Sequence, residues 1–310
     1  MIHMIVGSVL FVLAFLMISF EWINKTTVVL VGAVIFIFSR IIDQESAFAA
    51  IDWNVVFLLI GMMILVGITK ETGLFQFIAI KAAKLVRGEP MKIMLLLALI
   101  TAGFSAVLDN VTTILIITPV SILIAVELGI SPIPFIISNA IASNIGGTAT
   151  LIGDPPNILI GSAAGLSFLD FIINVAPAAL ITLGLFLGVM YLLFHRKLHV
   201  SRELKARIMD FDERKSITDR PLMIKSLAVI GLTIAGFMLH GVMGVEPATI
   251  ALGGAALLML ISRTHDIDKY FHEVEWGTIF FFIGLFIMVG GLVELGVIAI
   301  LARKALEVTG

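Results

Sequence analysis

The sequence predicts an all-α integral membrane protein built from two copies of one structural unit, the second copy incomplete. Three observations predict it: an apolar composition, a row of uncharged runs long enough to cross a bilayer, and an internal repeat. Hydrophobic residues make up 60% and charged residues 14% of the 310 positions, where a soluble domain carries roughly 25% charged residues. About 20 helical residues cross the hydrocarbon layer, and several of the runs reach that length. The net charge of −2 and the lack of any basic surface give no reason to expect a nucleic-acid partner; the bilayer is the partner implied. Without cysteine there is neither a disulfide nor thiol chemistry. The apolar N-terminus has no A-x-A cleavage pattern and is read as the first span.

The repeat fixes the organisation. Displaced by 223 residues, 26–82 overlies 249–305 without a gap, with 18 identities in 57 positions. Trp53 meets Trp276, Gly61 meets Gly284, Gly67 meets Gly290, Glu71 meets Glu294 and Lys81 meets Lys304. Apolar segments resemble one another by chance, but chance does not align Trp, Arg, Asp, Glu and Lys in one register.

Repeat 1 occupies 1–194. Its spans are expected at 4–20, 26–41 and 52–70, followed by an amphipathic helix at 74–88 with Lys81, Lys84 and Arg87 on its polar side. Segment 91–127 has two apolar arms around Asp109-Asn110-Val111-Thr112-Thr113 and reads as a re-entrant hairpin, because its second arm is short and its tip is unlike a surface loop. A broken helix follows at 131–165 and a span at 170–194. The polar stretch 195–222 reads as a cytoplasmic connector, most simply a solvated one. Truncated repeat 2, 223–310, has spans at 223–241, 246–262 and 274–293.

Charge sets the topology. Lys70, Lys81, Lys84, Arg87 and Lys92 flank the hairpin, and eight Lys and Arg residues lie in the connector. Both segments are therefore expected in the cytoplasm. Repeat 1 then crosses five times, an odd number, so repeat 2 is inverted and the N-terminus is outside. Inverted repeats with discontinuous helices are the pattern of secondary transporters.

The richest stretch runs from Ser143-Asn144-Ile145-Gly146-Gly147-Thr148-Ala149-Thr150 to Leu151-Ile152-Gly153-Asp154-Pro155-Pro156-Asn157. Glycine and the helix-breaking pair Pro155 and Pro156 interrupt the helix from Gly146 to Asn157 and free backbone groups at membrane depth. There they must be satisfied by protein, water or a bound ion. Hard cations such as Na⁺ take oxygen ligands, while oxyanions take N–H donors and helix N-termini; Asn, Thr and freed backbone serve either. Asp109 and Asp154 are the carboxylates inside these apolar stretches and are functional candidates for that reason. Each can hold a proton or a Na⁺, and each also suits the N-cap of the half-helix that follows it.

Other features are weaker. The glycines of 146–153 are not followed by Gly-Lys-Ser/Thr, so a nucleotide loop is not indicated. His265 and His272 with Asp266 and Asp268 read as a solvated turn. Glu71 and Glu294 read as interfacial or hydrogen-bonded acids, Trp53 and Trp276 as interfacial anchors, and the Phe-rich run 280–286 as a lipid-facing or packing surface. Within the spans there is no nucleophile–base pair and no metal-ligand cluster, so an enzyme is not expected and no cofactor beyond a coupling Na⁺ or H⁺ is called for.

The run Gly-Gly-Thr-Ala-Thr-Leu-Ile-Gly-Asp-Pro-Pro-Asn, with Asp-Asn-Val-Thr-Thr some 35 residues earlier, resembles the ion transporter superfamily. It is most similar to the arsenite permease and NhaD-type sodium–proton antiporter branch, which includes the melanosomal P protein. Citrate and divalent-anion/sodium symporters are more distant, with Thr at the position of Asp154. The resemblance implies a homodimer in the plasma membrane, elevator-type movement, and ion contact at Asn110, Thr112, Thr113, Asn144, Gly147, Thr148 and Asn157. It implies Na⁺ contacts at Asn110, Thr113, Gly147 and Asn157. Ser143, Gly146, Thr150 and Gly153 complete the candidate site. Family members carry a second hairpin and a second broken helix. Counterparts of Asp109 and Asp154 would fall at about 332 and about 377 by the repeat. The chain is therefore expected to hold half of a transport site, completed by a missing C-terminal half or a complementary subunit.

Two functions follow within one class: a permease for arsenite or another small anion coupled to Na⁺ or H⁺, and a Na⁺/H⁺ antiporter. A channel or a non-transporting accessory subunit is the alternative from another class. Robust ion-dependent uptake by the purified 310-residue chain would count against the half-site expectation.

Overall fold

The computed structural model describes residues 2–262 and 267–309. Among these residues there is no β-strand, and the protein is an all-α integral membrane protein. The first helices are α1 (Ile2–Ser19), α2 (Lys25–Phe38), α3 (Gln44–Ala49), α4 (Trp53–Glu71) and α5 (Leu74–Leu85). Next come α6 (Pro90–Ser105), α7 (Asn110–Glu127), α8 (Ile133–Thr148), α9 (Pro155–Ala164), α10 (Phe168–Asn174) and α11 (Ala176–Phe194). The chain continues through α12 (Arg202–Asp210), a 3₁₀ turn at Glu213–Ser216, α13 (Arg220–Met243), α14 (Pro247–Ser262), α15 (Asp268–Phe271), α16 (Trp276–Glu294) and α17 (Val297–Thr309). Helices α4, α7, α11, α13 and α16 are long and apolar enough to cross a membrane, and α9 with α10 forms a further pair bent by 110°.

Side-chain caps begin many of these helices. Asn24 accepts from the Thr26 N–H, Asp43 from Glu45 and Ser46, Asp52 from Asn54 and Val55, and Asp219 from Leu222. Each satisfies a donor that a helix start leaves without a partner. Hydrogen bonds from Ser46 hold the Asp43 carboxyl below the usual carboxylate range.

The chain forms two compact units, one of residues 1–56 and 275–310, the other of 57–274. In the first, α16 packs against α2 and α3. A side chain on Gly284 would lie 2.9 Å from the Val29 backbone, and one on Gly290 would lie 2.6 Å from Ala50. In the second, α4 meets α14 in the same way: Gly61 faces the Ala251 and Leu252 backbone at 2.7–2.9 Å, and Gly67 faces Glu273 at 2.6 Å. Gly61 and Gly284, Gly67 and Gly290, Leu252 and Val29, and Glu273 and Ala50 are all pairs displaced by 223 residues. The 223-residue displacement also carries the bounds of α4 onto those of α16, and Gly73 (φ +76°) onto Gly296 (φ +74°). Without a side chain at these positions two helices approach until backbones touch, the usual route to tight packing in lipid. Trp53 and Trp276 are half-exposed at the first positions of α4 and α16.

Four segments differ from the sequence expectation. The second arm of 91–127 is not short: α7 has 18 residues and is itself long and apolar enough to cross a membrane. The amphipathic helix ends at Leu85, not 88, because Arg87 and Gly88 take left-handed conformations and turn the chain. Segment 170–194 is two helices separated at Val175, next to Pro177, which lies in the first turn of α11; proline fits a first turn but not a helix interior. The connector is not a solvated linker. Leu198 and Ile208 are buried in a cluster with residues of α5, α6, α7 and α8, and Lys84 pairs with Glu213 at 2.7 Å. The ammonium of Lys84 holds the Glu213 carboxyl below its ordinary range.

Among the weaker candidates, Glu71 pairs with Lys269 at 2.7 Å, while Glu294 and His272 are exposed. Asp268 opens α15, and His265 and Asp266 lie outside the described residues.

The glycine contacts give a direct test. Gly284→Leu or Gly61→Leu should force a helix pair apart and destabilise the protein by about 1–3 kcal/mol. Gly231→Ala, at a position with open space around it, should not. Thermal unfolding in detergent separates the two outcomes.

Candidate functional site

Two helix interruptions meet in the larger unit. The first separates α6 from α7. Helix α6 closes with a tight turn over 106–108, and Asp109 then adopts an extended conformation as the N-cap of α7. Its carboxylate accepts from the Thr112 N–H at 2.8 Å, and the Thr113 hydroxyl donates to the Asp109 carbonyl at 2.8 Å. The second separates α8 from α9. It covers 149–154, shorter than the expected stretch from Gly146 to Asn157, because Gly146 and Gly147 remain helical. A side chain on Gly146 would fall on the Ala102 carbonyl, so this glycine admits helix α6 rather than breaking α8. Pro155 and Pro156 occupy the first turn of α9, where a missing N–H is harmless. Asp154 is the N-cap of α9, and its side chain makes no capping hydrogen bond.

Glycine also brings the two breaks together. A side chain on Gly153 would lie 2.5 Å from the Ser105 carbonyl and 2.6 Å from that of Gly147. Polar side chains close the remaining gaps. The Thr150 hydroxyl donates to the Ala106 carbonyl at 2.5 Å and accepts from the Gly153 N–H at 3.2 Å. The Asn157 amide donates to the carbonyls of Gly147 (3.0 Å), Thr150 (2.9 Å) and Thr148 (3.3 Å). The Ser143 hydroxyl lies 3.0 Å from the Asn110 carbonyl and 3.1 Å from the Ser105 hydroxyl. The Asn110 amide donates to the Asn144 side-chain oxygen at 3.1 Å.

The site thus gathers Asp109, Asn110, Ser143, Asn144, Gly147, Thr150, Gly153 and Asn157. Thr113 and Thr148 direct their hydroxyl hydrogens to backbone carbonyls of their own helices, and Thr112 contributes its backbone N–H. Asp109 and Asp154 are the N-caps at the two breaks, which touch where Gly153 meets the Ser105 carbonyl and Thr150 meets the Ala106 carbonyl. Asp109 is buried and Asp154 half-buried, while Asn144, Thr148 and Pro156 are exposed along one open side. Sequence reading missed Ser105 and the carbonyls of Ala102 and Ala106. The run of small residues from Thr101 to Ala106 was the available signal.

Chemically, the arrangement holds oxygens and few free donors. The Asn157 and Asn110 amides are directed at oxygens within the site, which leaves the carboxylates, oxygen lone pairs and the amide group of exposed Asn144. Two helix N-termini, of α7 and α9, end at those carboxylates. A helix N-terminus attracts anions, but here each carries a negative cap.

Asn157 is the most connected of these side chains. Asn157→Leu leaves three carbonyls without their donor and should destabilise the protein by about 1–3 kcal/mol. Asn157→Asp, which turns a carboxylate on the same carbonyls, should cost more. Unfolding midpoints of the purified variants check both.

The sequence profile of the citrate transporter family matches residues 15–309. An uncharacterized transporter of Mycobacterium bovis is 44% identical over 310 residues, covering 99% of this chain and 72% of its own length. A 46 kDa membrane protein of Mycobacterium leprae is 42% identical with the same coverage. The P protein of Mus musculus is 31% identical over 368 aligned positions, covering 94% of this chain and 44% of its own length.

Proposed function

The chain belongs to the citrate transporter family, and from that premise we propose that it is a secondary active transporter of a small anion, coupled to Na⁺ or H⁺, with its ion site at the two helix breaks. The observation that carries this reading is the meeting of the two breaks at which α7 and α9 begin, each with an aspartate, Asp109 or Asp154, as its N-cap.

Coupling follows from electrostatics. With both carboxylates charged, an anion approaching the two helix N-termini meets like charge. A Na⁺ or a proton on the acids removes that repulsion and restores the attraction of the exposed helix ends. The cation is thereby a condition for anion binding. Asn110, Thr113, Asn144, Gly147 and Asn157 supply further oxygens around the cation, which suits a hard ion. Thr112, Ser143, Gly146, Thr148, Thr150 and Gly153 shape the gap.

The rest of the assignment is also proposal. The substrate class is a small oxyanion such as citrate or arsenite. The site moves across the plasma membrane by elevator motion within a homodimer, with the N-terminus outside, and a second hairpin and broken helix complete it. A second reading has one favouring observation: the two acids at the breaks suit a Na⁺/H⁺ antiporter in which the cation is the cargo.

Flux in proteoliposomes decides between them. Citrate, arsenite and Na⁺ are each offered against a pH or Na⁺ gradient, in the protein with whatever chain completes it. Asp154→Asn should abolish coupled flux by tenfold or more while the protein remains folded. Unchanged flux with unchanged pH dependence removes Asp154 from the site.

A further inference from the structure

The connector between α11 and α13 holds the larger unit at two separate places. The first grip lies across the mouth of the α6–α7 hairpin. Leu198 and Ile208 are buried in the cluster beneath it. Lys205 pairs with Glu89, the N-cap of α6, at 2.6 Å. Lys84 of α5 donates to Glu213 and to the Phe211 carbonyl, both at 2.7 Å. At the other end of the hairpin, just past α7, Leu204 lies against Gly129. This grip therefore spans both ends of the hairpin.

The second grip lies at the α4–α5 corner and is made by hydrogen bonds to backbone carbonyls. The Thr218 N–H donates to the Thr72 carbonyl at 3.1 Å, and its hydroxyl donates to the Glu71 carbonyl. Gly73 has φ +76°, and any side chain there would strike the Ser216 carbonyl. Between this corner, α5, α7 and the connector is a cavity of about 320 Å³, lined among others by Gln76, Ile80, Val120, Leu123 and Thr218. The Gln76 Oε1 is buried there without a partner. The connector thus ties two parts together across space that is not packed solid.

We propose that residues 198–218 form a clasp: closed, it fixes the hairpin mouth to the α4–α5 corner, and release of its ion pairs frees the hairpin to shift against that corner. The two grips are unlike in kind. Lys84–Glu213 and Lys205–Glu89 are partly exposed, so water and salt can replace them at modest cost. The corner contacts are uncharged hydrogen bonds from Thr218 to backbone carbonyls beside a glycine, and they stay closed under the same conditions. Opening therefore begins at the hairpin. The clasp involves none of the ion chemistry of the helix breaks, so its test needs no transported substrate.

Hydrogen exchange of the full chain in detergent or nanodiscs tests it. In the wild type, amides of 204–210 and of the hairpin mouth at 93–97 should be protected and should open together. Lys84→Glu and Glu213→Lys should each speed exchange in both segments roughly five- to tenfold, with 133–148 unchanged. The double swap should restore protection. Glu89→Gln weakens the other pair without reversing a charge and should give the same joint loosening if the reversals disturb α8. A connector that exchanges at the rate of unstructured chain in the wild type overturns the clasp. So do variants in which the connector loosens while the mouth does not respond.

Discussion

A backbone in hydrocarbon must find partners for its own N–H and C=O groups. Everything distinctive in this protein is a solution to that requirement at two places where helices stop. The breaks at 106–109 and 149–154 satisfy one another. Thr150 caps the Ala106 carbonyl, Asn157 collects three carbonyls, and Ser143 reaches the Asn110 carbonyl. Asn157 closes its own break, and the Thr150 and Ser143 hydroxyls join the two. Together they make a polar knot in which Asp109 is buried and Asp154 half-buried.

Glycine makes the knot possible, and it makes the helix pairing possible as well. The same chemistry serves two purposes. At Gly147 and Gly153 it brings the end of α8 against the irregular backbone of the break; at Gly61 and Gly284 it brings helix against helix. The second use recurs in both copies of the repeat at matched positions. The packing rule is thus encoded twice, while the knot is found once among the described residues. Asp109 and Asp154 then do what polar groups at membrane depth must do: they end helices and, in the function proposed here, they hold a cation.

The all-α membrane class was legible from hydropathy, and helix starts at Asp109 and Pro155 were legible because capping chemistry is local. What was not legible depended on distant partners. Gly146 looks like a helix breaker until the Ala102 carbonyl is seen beside it, and that residue is more than forty positions away. The roles of Ala102 and Ala106 belong to their backbone, which no side chain advertises. The bend at Val175 rests on Pro177, whose effect depends on whether a helix begins or continues there. The connector misled for a different reason. Its charges alternate as in a solvated segment, while the two residues that dock it most deeply, Leu198 and Ile208, are too sparse to mark a periodic face.

That connector has a practical consequence. By hydropathy it is the obvious place to insert a fluorescent reporter, an affinity tag or a protease site, since such insertions are tolerated best in exposed, weakly bonded loops. Here the stretch is anchored near both ends and contributes to the core. Cargo spliced into its middle would pry at the hairpin, and a labelled protein of that design would report on its own distortion.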